Sequence, residues 1–211
     1  MARGSETRSK IMDVAQEAIL AKGFEATSIE EIVAGSEITR SGFFYHFPDK
    51  NALAHALIDR HIAVENELFD DLFGRAAELG EGPLQTMLIG LKLLAEMLDD
   101  MPNGHPGCIV ATAAYQDRLF NREVREANKR AVLGWRTRFR AMFEDIVANH
   151  DMRDDVDLDP LADMVSAVIE GGLTISRALD EPPITAQQVR LMQSYVKLLF
   201  APGVAVAAHQ R

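Results

Sequence analysis

What most limits the fold of this chain is the spacing of its apolar residues, which recur every three to four positions along much of its length. Ile11, Val14, Ala15, Ala18 and Ile19 fall at i, i+3, i+4, i+7 and i+8, the mark of a helix with one buried face. Val124, Ala127, Ala131, Trp135, Phe139, Met142 and Ile146 form a second such stripe. No stretch of useful length alternates apolar and polar residues as a strand would, and there is no internal repeat or low-complexity tract. The chain is therefore predicted to be all-α, with about nine helices.

Helix punctuation gives the boundaries. Gly23 stops the first helix. Ser28 and Glu31 have capping-box spacing, so hydroxyl and carboxylate each satisfy an orphan backbone N–H at the start of a short second helix. A turn at 35–37 leads to a third short helix that starts near Thr39 and ends before Pro48. Asp49 caps a fourth, expected to run into the sixties, and a separate helix is expected over about 65–79, stopped by Gly80 and Gly82. Others are predicted over about 84–100, up to the breaking run "MPNGHPG", and over about 108–119. Asn121 caps the long striped helix. Asp159-Pro160 reads as an N-cap followed by proline at the first helical position. Thr185 and Gln188 read as a second capping box that opens the last helix. The tail "APGVAVAAHQR" is expected to fray. Three close-coupled short helices thus make a first domain, residues 1–52, ahead of a larger helical domain, 53–211.

Composition narrows the function. The single cysteine, Cys108, permits no intramolecular disulfide, which fits a reducing cytoplasm. The N-terminal run "MARGSETRSKIMDVAQE" lacks the apolar core of a signal peptide, and the most apolar stretches are broken by Lys92 and Glu96 or by Glu170 before they reach the roughly 18 residues that a membrane helix needs. Catalysis has little support: no nucleophile elbow, no phosphate-cradling loop, no convincing metal set. "DDVDLDP" lacks the central glycine of a calcium loop. The chain is read as no enzyme, with no cofactor and no metal. A net charge of −10 argues against nucleic acid, and residues 1–50 carry six Lys/Arg against eight Asp/Glu. Any DNA-binding reading rests on where the cations sit.

Two of the six, Arg40 and Lys50, lie in "ITRSGFFYHFPDK", residues 38–50, and bracket its five aromatic rings (counting His46). One short helix cannot bury them all. Two helices joined by a tight turn, the second short and opening on small polar residues, make a helix-turn-helix, whose second helix enters the major groove by its N-terminal end. At 100° per residue Phe43 and Phe47, with Ile38, face inward onto Ile29, Ile32 and Val33. Tyr45 and Ser41 point away and Phe44 lies at the flank, so these would meet DNA with Thr39 and Arg40. Lys50 and the start of the fourth helix would hold a phosphate.

The stretch "TRSKIMDVAQEAILAKGFEATSIEEIVAGSEITRSGFFYHFPDKNALAHALI", residues 7–58, resembles the DNA-binding domain of the tetracycline-repressor (TetR) family of bacterial transcription regulators. The likeness comprises the Gly23-Phe24 break, the Thr27-Ser28 cap, the recognition segment and the Phe-Pro-x-Lys exit. It implies a DNA face of Ser28, Thr39, Arg40, Ser41, Gly42, Phe44, Tyr45, His46 and Lys50, with Ser28 on a phosphate and Lys50 on the backbone. Two positions depart from the family. Phe44 stands where a tyrosine hydroxyl usually holds a phosphate, leaving Tyr45 or His46 to compensate, and Glu37 replaces the usual glycine of the turn.

Beyond residue 65 the likeness is faint. It implies a cytoplasmic homodimeric repressor, released from a pseudo-palindromic operator by a small-molecule effector. Apolar residues on more than one face of the last two helices suit a two-fold four-helix bundle through Val168, Gly171, Gly172, Ile175, Met192, Tyr195 and Leu199. Candidates for an effector pocket are Ile58, His61, Leu94, Met97, Cys108, Ala111, Tyr115, Trp135, Phe139 and Ile169, apolar-face residues with a few polar tips. The alternatives are a regulator or activator without an effector, and a helical enzyme or lipid carrier whose first fifty residues are only a cap.

Overall fold

A computed structural model describes residues 2–101 and 104–201. The described residues form nine α-helices, one 3-10 turn and no strand. In chain order the helices are α1 (Ala2–Ala26), α2 (Ile29–Gly35), α3 (Arg40–His46), α4 (Lys50–Leu79), α5 (Pro83–Asp99), α6 (Ile109–Tyr115), α7 (Arg122–Val147), α8 (Leu158–Leu179) and α9 (Ile184–Leu199). The 3-10 turn, Asp117–Leu119, lies between α6 and α7. The tail from Pro202 onward and two residues of the "MPNGHPG" run, Pro102 and Asn103, lie outside the described residues. No helix among those described is long and apolar enough to cross a membrane.

Two compact units divide the chain. One holds the residues up to Leu68 with Pro106–Gly134, and the other holds Phe69–His105 with the residues from Trp135 on. In the first unit α1 breaks at Gly23, whose φ of 88° lies in the region that glycine alone enters freely. The break exposes backbone donors, and Gln116 at the end of α6 fills it: its Oε1 accepts from the Phe24 N–H at 2.8 Å. A Cβ at Gly23 would lie 3.0 Å from the same side chain. Phe24 then meets Phe120 edge to face, with centroids 4.8 Å apart. Ile11, Ala15 and Ile19 of α1, Ile32 of α2, Phe43 and Phe47 at α3, and Leu53 and Leu57 of α4 are all buried in this unit. Each fully buried large side chain contributes roughly 1.5–3 kcal/mol to folding.

In the second unit α9 packs on both α5 and α8. Gln193 Nε2 donates to the Leu88 carbonyl at 2.7 Å, and Arg190 pairs with Asp99, which holds the guanidinium pKa above its ordinary value. Arg136 grips Asp163 with two parallel bonds of 2.8 and 2.6 Å, joining α7 to α8. The rings of Phe69, Phe73 and Phe139 form an edge-to-face cluster with centroids 5.5–6.3 Å apart.

Three expected boundaries are corrected. The helix over 65–79 is the continuation of α4, because "HIAVENELF" offers neither glycine nor proline to stop it. The N-cap of α8 is Asp157, which accepts from the Asp159 N–H at 3.1 Å, so Pro160 sits at the third helical position. In α9, Thr185 is buried inside the first turn and Pro183 precedes the helix, so Thr185 makes no capping box.

Candidate nucleic-acid interface

The turn between α2 and α3 places the reading helix. Ser28 Oγ accepts from the Glu31 N–H at 3.1 Å and starts α2, leaving its own proton to donate outward. The chain then reverses through Ser36 and Glu37. Their N–H groups bond the Ile32 and Ala34 carbonyls at 2.9 and 3.1 Å. Glu37 takes a φ of 55°, the conformation for which the expected glycine would be suited. Thr39 Oγ1 accepts from the Gly42 N–H at 3.1 Å, which caps α3, and lies 3.0 Å from Ser41 Oγ.

On α3 the rings divide as helical geometry requires. Phe43 and Phe47 are buried, whereas Tyr45 is 83 % exposed and Phe44 39 %. Phe43 holds Phe44 edge to face at 5.4 Å, and Tyr45 meets His46 at 5.0 Å. Ser28, Thr39, Arg40 and Ser41 are exposed, while Gly42 and His46 are half-buried. Arg40, Phe44 and Glu30 meet on one flank of α3. There the Arg40 guanidinium lies 5.7 Å from the Phe44 ring centre, and its Nη1 is 2.7 Å from Glu30 Oε1.

Lys50 is differently placed. Its ammonium donates to the Phe24 carbonyl, and burial pulls its pKa below the ordinary lysine value, opposed by the charge of Glu25. It ties the start of α4 to the end of α1 and has further N–H donors to offer. Two more cations of this region close on carboxylates: Lys10 on Glu37 and Lys22 on Glu31, both at 2.6 Å. The hydrogen bond from each lysine holds its partner's pKa below the usual carboxylate value. Sequence reasoning did not single out Glu30, Lys10, Lys22 or Gln116. Glu30 and Arg40 are ten residues apart across a turn, and Gln116 reaches Phe24 over 92 residues, so helical periodicity holds no trace of either pairing.

The ten effector candidates fall into two sets. Ile58, His61, Cys108, Ala111 and Tyr115 belong to the first unit, and Leu94, Met97, Trp135, Phe139 and Ile169 to the second. Within the first set, Cys108 Sγ lies 3.5 Å from His61 Nε2, which is also 3.3 Å from Glu65. Tyr115, the last residue of α6, is 83 % exposed. Within the second, Leu94 and Phe139 are buried and Met97, Trp135 and Ile169 half-buried. An open cleft of about 730 Å³ in the first unit is lined by other residues, among them Arg8, Met12, Asp49, His55 and Arg60. Of the seven candidates for a dimer interface, Gly172, Met192 and Leu199 are buried within the chain. A Cβ at Gly172 would lie 3.0 Å from Thr185 Cα, so the glycine admits α9 of its own chain. Ile175 and Tyr195 face solvent, and Val168 and Gly171 are half-buried. Beside them stand Leu179, Leu191 and Leu198, all exposed and not anticipated.

Residues 11–57 match the family model for bacterial regulatory proteins, tetR family, and residues 92–192 match the tetracyclin repressor-like C-terminal domain. An uncharacterized HTH-type transcriptional regulator in the lacX 3' region of Lactococcus lactis subsp. lactis is 29 % identical over 100 residues, 47 % of this chain and 45 % of that protein. The HTH-type transcriptional repressor NemR of Escherichia coli (strain K12) is 25 % identical over 77 residues, 36 % of this chain and 37 % of NemR. The chain thus spans less than half the length of the curated relatives it matches. A TetR-family regulator from Agrobacterium tumefaciens superposes with a TM-score of 0.77 at 17 % identity, covering 91 % of this chain and 98 % of that one, which establishes the fold. The relatives are transcription regulators rather than enzymes. The matched head and C-terminal models together cover well over half of the sequence, and the chain belongs to the TetR family of bacterial transcription regulators.

Proposed function

We propose that the protein is a cytoplasmic, homodimeric repressor that holds a pseudo-palindromic operator and releases it when a small molecule binds in the C-terminal domain. One observation carries this reading: α3 buries Phe43 completely while Tyr45, Arg40 and Ser41, with the capping Thr39, are left exposed. A helix whose inner face is fully satisfied has no folding reason to expose a phenol as well as a guanidinium. A major groove does accept them, the guanidinium on guanine and the ring on sugar or a thymine methyl. Ser28 and the first turn of α4 would hold phosphates on either side. Two copies would enter successive grooves about 34–36 Å apart.

Dimerisation is supported by the aliphatic strip of Ile175 and Leu179 on α8 and Leu191 and Leu198 on α9, which a two-fold four-helix bundle would cover. The effector would prefer a state in which α4 has shifted and the two reading helices no longer match the operator. A reciprocal coupling of roughly 1–3 kcal/mol gives several-fold to about a hundredfold loss of operator affinity. The experiment is selection of bound duplexes from a random library and from DNA flanking the gene, followed by anisotropy titration and a thermal-shift screen of small molecules. The reading expects a two-fold-symmetric consensus and a compound that both raises the melting temperature and weakens that complex. Failure to enrich any sequence would refute it.

A further inference from the structure

We propose that Glu30 is a specificity-determining residue of the reading head: it holds Arg40 in an ion pair that random DNA leaves closed and the operator opens. The proposal rests on the DNA-binding reading above. Its basis is the electrostatic state of the head. Lys10, Lys22 and Arg40 each touch a carboxylate of another segment, Glu37, Glu31 and Glu30 respectively, at 2.6–2.7 Å. Residues 1–50 are net acidic, although DNA is a polyanion. All three pairs are exposed, and pairs of that kind add little to stability. The fold therefore gives little reason to keep three acids here.

Glu30 differs from the other two because its partner stands on the outward edge of α3. The Arg40 guanidinium is held between the Glu30 carboxylate and the face of Phe44. Non-specific binding comes almost wholly from free cations that neutralise phosphates and release counterions. A guanidinium already neutralised releases none. A sequence offering guanine at the right step changes the balance, because a bidentate contact to its O6 and N7 is worth roughly tenfold to a hundredfold in discrimination. That is enough to draw Arg40 off an exposed carboxylate. Glu30 thus suppresses binding everywhere except where Arg40 has a base to read.

The test is anisotropy titration of the full-length dimer against a random duplex and against the selected operator, over a series of salt concentrations. Glu30→Gln keeps the shape of the side chain and removes its charge. It should tighten random-duplex binding by about three- to tenfold at low salt and operator binding by less than about twofold. The log-affinity against log-salt slope on random DNA should steepen by about 0.9 per head engaged. In an Arg40→Ala background the gain should vanish. Glu67→Gln changes net charge equally and lies 17 residues beyond Lys50 along α4, roughly 25 Å by helical rise; it should leave random-duplex binding unaltered. The proposal is overturned by unchanged random affinity in Glu30→Gln, by a gain that survives Arg40→Ala, or by a loss confined to the operator, which would make Glu30 a guide for Arg40. If the unmutated dimer binds no duplex at all, the DNA-binding reading fails and takes this proposal with it, an outcome visible before any variant is made.

Discussion

On α3 the side chains left in solvent are Phe44 and Tyr45, with Arg40 and Ser41 beside them; on α8 and α9 they are Ile175, Leu179, Leu191, Tyr195 and Leu198. Both regions expose large apolar groups over a fully packed inner face, Phe43 and Phe47 in one case, Val189, Met192, Val196 and Leu199 in the other. The difference is in what accompanies them. A ring against a guanidinium, as Phe44 lies against Arg40, and a phenol in solvent, Tyr45, suit a wet, charged partner with flat surfaces. Branched aliphatic groups, which make up all of the second set but Tyr195, gain only where water is excluded, as in the core of a protein interface. Exposure alone therefore says little about function, and the chemistry of the exposed atoms separates a surface for nucleic acid from a surface for a second protein chain.

The largest effect expected from breaking this comparison lies on the aliphatic side. Leu191→Glu with Leu198→Glu should weaken dimerisation by roughly a hundredfold or more, since buried interface anchors are worth upward of about 2 kcal/mol each. Sedimentation equilibrium would read it, and a dimer that persists unchanged would locate the interface elsewhere. Next comes Arg40→Ala, which should cost about 1–3 kcal/mol of operator affinity, with helix content and melting temperature unaltered. Loss of fold in that variant would contradict the view that Arg40 is there for DNA.

How much of this was readable in the residues follows from the range of each interaction. The Ser28 cap, the Gly23 break and the division of Phe43 and Phe47 from Tyr45 depend on residue type and on neighbours three or four residues away, and were legible in the sequence. The start of α8 was misread because Asp157 and Asp159 compete for the cap only two residues apart. For α9 the periodicity marked two apolar faces without saying which turns inward. Met192 and Leu199 face the chain's own core, while Leu191 and Leu198, each one residue away, face out. Gln116 was invisible because its partner is 92 residues distant.

A smaller effect sharpens the comparison within the head. Glu37→Gly relieves a left-handed conformation that costs a non-glycine residue roughly 1–2 kcal/mol. It also loosens the unfolded chain, at roughly 0.5–1 kcal/mol, and gives up an exposed ion pair with Lys10. The net should be a stabilisation of about 0.5 kcal/mol, read from a denaturant midpoint. A clear destabilisation would mean that the Lys10 pair outweighs the backbone strain.

The smallest effect concerns the second unit. Burial holds the His105 pKa below its ordinary value of 6.5. The unfolded chain then takes up the proton first as pH falls, so this histidine lowers stability as pH drops through and below that value and has no effect well above it. His105→Gln should flatten that part of the acid slope in melting temperature. An unchanged slope would show that His105 is as easily protonated folded as unfolded.

Photo-crosslinking sets the two faces side by side in one measurement. With a benzoylphenylalanine at position 45 in one preparation and at position 195 in another, both irradiated on the selected operator, the account predicts that the group replacing Tyr45 joins to DNA and the group replacing Tyr195 joins to a second copy of the chain. A crosslink from position 45 to protein alone, or from position 195 to DNA, would contradict it.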